Sequence, residues 1–175
     1  MLAPELRNAE GARNVAFNLL LKAAQRLRAR ELTTTSIILL IATQEQGYLK
    51  HRIKLPASSD STSLATAMLK GWEELIKAAL KPGQDSSTSK TIQVNATKLT
   101  IRKVIVNLSN LQGDSAQLSF NYLTEDTGVK RKRESLSRSI DKINTKYGHN
   151  TIFLGHLPKK HNKAPIVAFR YIPEG

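Results

Sequence analysis

Three cationic side chains alternate with other residues in one short segment, at Lys50, Arg52 and Lys54. If this segment is a β-strand, the three side chains lie on one face at intervals of about 6.6 Å. Ammonium and guanidinium groups spaced in this way can contact successive anionic groups of a polymer. The formal net charge is +13, from 27 Lys and Arg against 14 Asp and Glu, and a balance this basic favours a polyanionic partner. The alternative is a solvated surface that is basic without a binding role.

Residue types that catalyse reactions or bind metals form no coherent site in the sequence. Cysteine is absent, which excludes thiol catalysis, disulfides and sulfur-ligated zinc. His149, His156 and His161 lack the spacing of a helical pair, and no acid or thiol completes a zinc site. The acids Glu73-Glu74 fall on a helix and Glu125-Asp126 in a polar loop, so they do not form the acidic cleft that holds two divalent ions for phosphoryl transfer. We therefore predict no catalytic residue, no metal and no cofactor.

Hydrophobic periodicity predicts the elements that must position the cations. In chain order these are a helix over 8–30, strands over 33–43 and 48–55, a helix over 60–82, a short edge strand over 91–96, a strand over 99–111, a helix ending at Tyr147, and strands over 151–154 and 166–172. This order predicts an α+β fold, with four to five strands in a mostly antiparallel sheet, helices packed on one face, and an N-terminal helix in front. The apolar strand over 33–43 is expected to be buried on both faces. The other face of the sheet would be open along the hairpin, where it carries Lys50, Arg52 and Lys54.

The third predicted helix has an apolar stripe and a cationic stripe. The apolar stripe predicts the face that packs on the core, and it consists of Leu136, Ile140, Ile143 and Tyr147. Gly148 follows directly and is the residue that best closes a helix in the left-handed conformation. The other stripe, Arg138, Lys142 and Lys146, is either a solvated face or a second contact with phosphate. The Lys130–Arg133 run is a charge block ahead of this helix.

Several segments together resemble one protein family. They are Leu2–Arg7 with Lys22–Arg28, Thr100–Ser109, Ser139–Gly148 and Ile166–Pro173. In order and spacing they are similar to the little-finger domain of Y-family translesion DNA polymerases, the UmuC/DinB or ImpB/MucB/SamB group. The resemblance predicts a linker helix over 1–31 and a little-finger-like DNA-binding domain over 32–175.

The resemblance implies a partner, a process and a set of contact residues. The partner is duplex primer–template DNA, and the process is translesion synthesis within DNA repair and the SOS response to DNA damage. In this family, strand amides and basic side chains hold phosphates, and the matching residues here are Lys50, Arg52, Lys54, Arg102 and Lys103. The palm carboxylates of such a polymerase have no counterpart in this chain, so the chain alone is predicted not to be an enzyme. With no signal pattern and no long apolar run, we expect an intracellular protein. The resemblance implies that this protein is bacterial, cytoplasmic and nucleoid-associated.

A second implied partner is the sliding clamp. Several family members dock on the clamp through a Gln-Leu-x-Leu-Phe segment, and Gln117, Leu118 and Phe120 form a degenerate match. The alternative is a strand that buries Leu118 and Phe120.

Two other classes of protein fit parts of the pattern. One is a free-standing nucleic-acid-binding module, for RNA or DNA, but aromatic residues make up only 5% of the chain, and an RNA-recognition sheet needs aromatics for base stacking. The other is a protein-interaction adaptor whose basic residues serve solubility.

Overall fold

A computed structural model describes residues 1–80, 99–113, 127–148 and 151–152. The helices and strands are α1 Ala9–Ala29, β1 Leu32–Thr43, β2 Gly47–Ser58, α2 Ser61–Leu80, β3 Ile101–Gly113 and α3 Thr127–Tyr147, with a short 3-10 helix at Pro4–Leu6. The predicted helices over 8–30 and 60–82 and the predicted strands over 33–43, 48–55 and 99–111 are confirmed, with ends that differ by up to about three residues. Polar side chains cap the starts of α1 and α2. The Asn8 side chain accepts a hydrogen bond from the Gly11 N–H at 2.6 Å, and the Asp60 carboxylate accepts from the N–H groups of Thr62 and Ser63.

The described strands form one antiparallel sheet in the order β2-β1-β3. The predicted α+β class is therefore correct, but the sheet has three strands within the described residues rather than four to five. The predicted strands over 91–96 and 166–172 lie outside the described residues. Thr151 and Ile152, the start of the strand predicted over 151–154, form a bend instead. The Ile152 N–H donates to the Asn144 side-chain oxygen at 2.9 Å, which holds the bend against the end of α3.

The core lies between one face of the sheet and helices α1 and α2. Ile37, Leu39 and Ile41 of β1 are fully buried on this face, and Leu20 of α1 and Met68 of α2 belong to the same core. The prediction that β1 is buried on both faces is wrong for its other face. Ile38, Leu40 and Ala42 are only half-buried there, because the helices of the core pack against the opposite face.

Helix α2 approaches β2 closely at Gly71. A Cβ atom at this position would collide with the side chain of Ile53. The absence of a side chain lets the helix pack directly on the strand that carries the cationic triplet, and so holds the backbone of that strand in place.

Helix α3 contacts the rest of the domain through polar groups. The Ser61 N–H donates to the Ser137 hydroxyl at 3.3 Å, and the Lys130 ammonium donates to the Ala57 carbonyl at 3.1 Å. The Arg28 guanidinium makes a bidentate pair with Asp141, from Nε at 2.6 Å and from Nη2 at 2.9 Å. The helix begins at Thr127, so the Lys130–Arg133 run is part of α3 and does not precede it.

The prediction that the apolar stripe of α3 packs on the core is wrong within the described residues. Leu136 is 55% exposed and Tyr147 is 66% exposed, while Ile140 and Ile143 are half-buried. The polar contacts of α3 come from the residues that follow Leu136 and Ile140, and successive residues of a helix are rotated by about 100°. The apolar stripe therefore lies about 100° around the helix from the side that makes the polar contacts with the domain.

Candidate nucleic-acid interface

The three cations of the hairpin lie on the sheet face opposite the helices. Lys50, Arg52 and Lys54 are exposed, whereas Leu49, His51, Ile53 and Leu55 between and beside them are half-buried. The His51 Nε2 lies 3.1 Å from a carboxylate oxygen of Glu74 on α2, which places His51 on the helix side. The predicted alternation is therefore confirmed, and we call the side of the sheet that carries the triplet the open face.

Strand register places an apolar strip beside the triplet on the open face. Lys50 lies opposite Leu40, which lies opposite Ile105 on β3. Arg52 lies opposite Ile38 in the same way. The half-buried aliphatic side chains thus form the centre of the face, and the cations line the β2 side of it.

Lys103 lies on the other side of this apolar strip. It pairs with Ala42, which pairs with Tyr48 of β2, so Lys103 is on the same face as the triplet. Neighbouring strands are about 4.8 Å apart, so β2 and β3 are separated by about 9.6 Å. The open face therefore carries cations on both flanks of an apolar centre.

Arg102 occupies an irregularity in β3. The pairing moves from Ala42↔Lys103 to Thr43↔Ile101, which leaves Arg102 without a partner in β1. The N-terminal segment holds this bulge from outside, because the Leu2 N–H donates to the Arg102 carbonyl at 2.8 Å and the Ile101 N–H donates to the Arg7 carbonyl at 2.7 Å. The Arg102 side chain is exposed.

The open face is strongly electropositive. Among the described residues that line it there is no Asp or Glu, and they are Ser36, Ile38, Leu40, Ala42, Tyr48, Lys50, Arg52, Lys54, Lys103, Ile105, Asn107 and Ser109. Fixed cations without neighbouring carboxylates attract and hold phosphate groups. The same set of described residues offers no acidic ligand for a divalent ion.

The other candidate binding residues named from the sequence either lie on α3 or fall outside the described residues. Arg138, Lys142 and Lys146 are exposed on α3. Gln117, Leu118 and Phe120 lie outside the described residues, and so do His149, His156 and His161. In the part of the chain that the structure describes, no three His, Asp or Glu residues are grouped so that they could hold a metal ion. Within these same residues, no helix is both long enough and apolar enough to cross a membrane.

The structure adds a groove that sequence reasoning missed. It runs along the outer edge of β2, between the exposed side of α2 and the first turns of α3, and its cavity volume is about 930 Å³. Its cationic lining comes from three separate elements and consists of Arg52, Lys54, Lys70, Lys130 and Arg133. We call it the edge groove. No local pattern could reveal it, since Lys70 and Arg133 come to line one groove only through the packing of α2 and α3.

A helix-backed antiparallel sheet defines the α+β class of this domain, and comparison with known proteins assigns its family. The model of the impB/mucB/samB family C-terminal domain matches residues 2–120. The chain belongs to this family, which is that of the C-terminal domains of Y-family translesion DNA polymerases. Searches of curated proteins and of solved structures found no match to the chain.

Proposed function

We propose that this domain grips duplex primer–template DNA without reading its sequence. The observation that carries the proposal is the open face, where the exposed Lys50, Arg52 and Lys54 flank one side of an apolar strip and Lys103 flanks the other. The interval between alternate residues of a strand is about 6.6 Å, which is comparable with the separation of successive phosphates along one DNA strand. Arg102, exposed at the bulge beside Lys103, completes the proposed contact set.

The proposed contacts suit a polymerase that copies damaged templates. Contacts with phosphate position a duplex but carry no sequence information. A damaged base leaves these phosphates in place, so the grip would be the same on damaged and undamaged DNA. The proposed role is therefore to hold DNA during translesion synthesis, in the repair and tolerance of DNA damage.

The family is one of DNA polymerase domains, which supports a parent protein that is a DNA-directed DNA polymerase, and we assign no catalytic step to the domain itself. Phosphoryl transfer needs acidic side chains that hold two divalent ions, and the proposed catalytic centre belongs to the other domains of the parent protein. As part of such a protein, the domain would act in the SOS response and at the bacterial nucleoid in the cytoplasm.

Competition between duplex DNA and single-stranded RNA tests the proposed function. We expect unlabelled duplex to displace a fluorescent duplex at a much lower concentration than single-stranded RNA of equal length does. The physical reason is that Tyr48 is the only aromatic among the described residues of the open face, so base stacking contributes little. The measurement is fluorescence anisotropy at a fixed, low salt concentration.

The competition distinguishes the proposal from its alternatives. If RNA displaces the duplex as well as duplex DNA does, the domain is a general nucleic-acid module rather than a duplex-gripping one. If the labelled duplex does not bind even at low salt, the proposal fails, and a protein-interaction adaptor is favoured instead.

We also propose that Gln117, Leu118 and Phe120 contact a sliding clamp. The support is the resemblance to a clamp-docking segment, in which a leucine and an aromatic residue enter an apolar groove while the glutamine fixes the peptide backbone. The double change Gln117→Ala with Phe120→Ala is expected to abolish clamp binding in a pull-down or surface-binding assay. The melting temperature should stay near that of the wild type. A melting temperature many degrees lower would show that Phe120 belongs to a core, and the clamp proposal would then be wrong.

A further inference from the structure

The edge groove carries cations that the open face does not use. Lys70 on α2 and Arg133 on α3 are exposed and lie on the helix side of the sheet, away from the proposed duplex contacts. Arg52 and Lys54 line the same groove and also belong to the cationic triplet. The electropositive surface is therefore continuous from the open face, around the edge of β2, into the groove.

The side chains of the groove suit phosphodiester backbone. Besides its cations, the first turns of α2 supply the hydroxyl groups of Thr62 and Ser63, and hydroxyl groups and cations are common donors to phosphate oxygens. The acid in the described lining is Glu74, which already lies 3.1 Å from His51. The Lys130 ammonium donates to the Ala57 carbonyl and keeps its charge, while Lys70 and Arg133 are the exposed cations of the lining that lie away from the open face.

A peptide strand added to the edge of β2 fits the groove less well. Pro56 lies in β2 and has no N–H to donate to an added strand. Among the described strands β2 is at the edge of the sheet, and lysines along such a strand, here Lys50 and Lys54, also oppose strand addition. The described lining contains no Phe, Tyr or Trp, and its imidazole, that of His51, is paired with Glu74, so we expect contacts with the backbone rather than stacking on bases.

We propose that the edge groove binds the phosphodiester backbone of the single strand that continues from a duplex held on the open face. The inference rests on the proposed function, because the duplex must first occupy the open face. Lys70 and Arg133 would then make the domain prefer a duplex with a single-stranded extension over a blunt duplex, which is the form of DNA at a primer–template junction.

The double change Lys70→Ala with Arg133→Ala tests the groove. The probes are a blunt duplex and the same duplex with an extension of about six thymidines. We expect the wild type to bind the extended duplex more tightly, with a plot of log affinity against log salt that is steeper by about 1.4 units, since each of two phosphates on a single strand contributes about 0.7. The double variant should lose this preference and bind the blunt duplex as the wild type does.

A matched control removes the same charge elsewhere on α3. The change Lys142→Ala with Lys146→Ala lies outside the described lining of the groove and should keep the preference for the extended duplex. The far-ultraviolet circular dichroism spectrum of each variant should match that of the wild type, because all four side chains are exposed.

Several outcomes would overturn the inference. The first is a Lys70/Arg133 variant that keeps the preference, and the second is a control variant that loses it equally. A third is a loss of affinity for the blunt duplex as large as that for the extended one, which would place Lys70 and Arg133 on the duplex. A fourth is binding of oligoglutamate that the double change abolishes while the preference for the extension stays, since the groove would then serve an acidic protein partner. Failure of the proposed function itself would look different, because the wild type would not bind even the blunt duplex.

Discussion

Replacing Lys50, Arg52 and Lys54 together by Glu is expected to abolish binding of duplex DNA. The three side chains are exposed on one face of β2, so the change turns one flank of the open face from positive to negative. Replacing the same residues by Ala should weaken binding by roughly 100-fold, because each lost phosphate contact contributes about 1 kcal/mol. The factor should be similar for every DNA sequence, since contacts with phosphate do not read bases. Anisotropy titrations with two unrelated duplexes measure both effects.

The control for this prediction is a second triplet of exposed cations. Arg138, Lys142 and Lys146 on α3 lie outside the open face, and their replacement by Ala removes the same formal charge. This control variant should bind duplex much more tightly than the hairpin variant does. If the α3 variant loses binding and the hairpin variant keeps it, the DNA binds at α3 and not on the open face. Neither triplet should matter much for folding, since exposed substitutions usually change stability by no more than about 0.5 kcal/mol each.

Replacing Asp141 by Ala is expected to lower the free energy of unfolding by about 3 kcal/mol. The side chain of its partner Arg28 is only 5% exposed, and its Nη1 also donates to the Ser59 carbonyl at 2.6 Å. Removal of the carboxylate leaves a buried guanidinium without its counter-charge, and such a change typically costs about 3–5 kcal/mol. The lower end of that range applies because Asp141 itself is 21% exposed. Urea denaturation followed by circular dichroism measures the change.

A paired replacement tells whether the uncompensated charge is the cause. Arg28→Met combined with Asp141→Leu removes both charges and should recover most of the lost stability, because a buried ion pair can often be replaced by apolar residues without loss. Lys142→Ala, at an exposed neighbouring position, should change stability little. A loss below about 1 kcal/mol for Asp141→Ala would show that the pair behaves as a surface salt bridge. At temperatures where the Asp141 variant is folded, its affinity for blunt duplex should equal that of the wild type.

The part of the candidate site that is local in sequence could be predicted. The side chains of a strand alternate between its two faces, so Lys50, Arg52 and Lys54 had to share a face once the segment was a strand. The apolar residues between them then determined which face packs on the core. The caps at Asn8 and Asp60 were equally local, because each uses a side chain next to the first turn of its helix.

Features that depend on distant pairing could not be predicted. Placing Lys103 on the same face as the triplet requires the register of both neighbouring strands, and a shift of one residue would have reversed it. The ion pair of Arg28 with Asp141 joins residues 113 positions apart. The apolar stripe of α3 was misleading, because periodicity identifies an amphipathic helix but not the neighbour or the side on which it docks.

Duplex affinity as a function of salt concentration tests most directly whether the open face holds duplex DNA through phosphate contacts. If Lys50, Arg52, Lys54, Arg102 and Lys103 each neutralise one phosphate, log affinity should fall with log salt at a slope of about −4.5. Two unrelated duplexes should give the same line. The variant with Ala at the three hairpin positions should give a slope about 2.7 units shallower. A flat line for the wild type, or equal slopes for the wild type and the variant, would contradict the account.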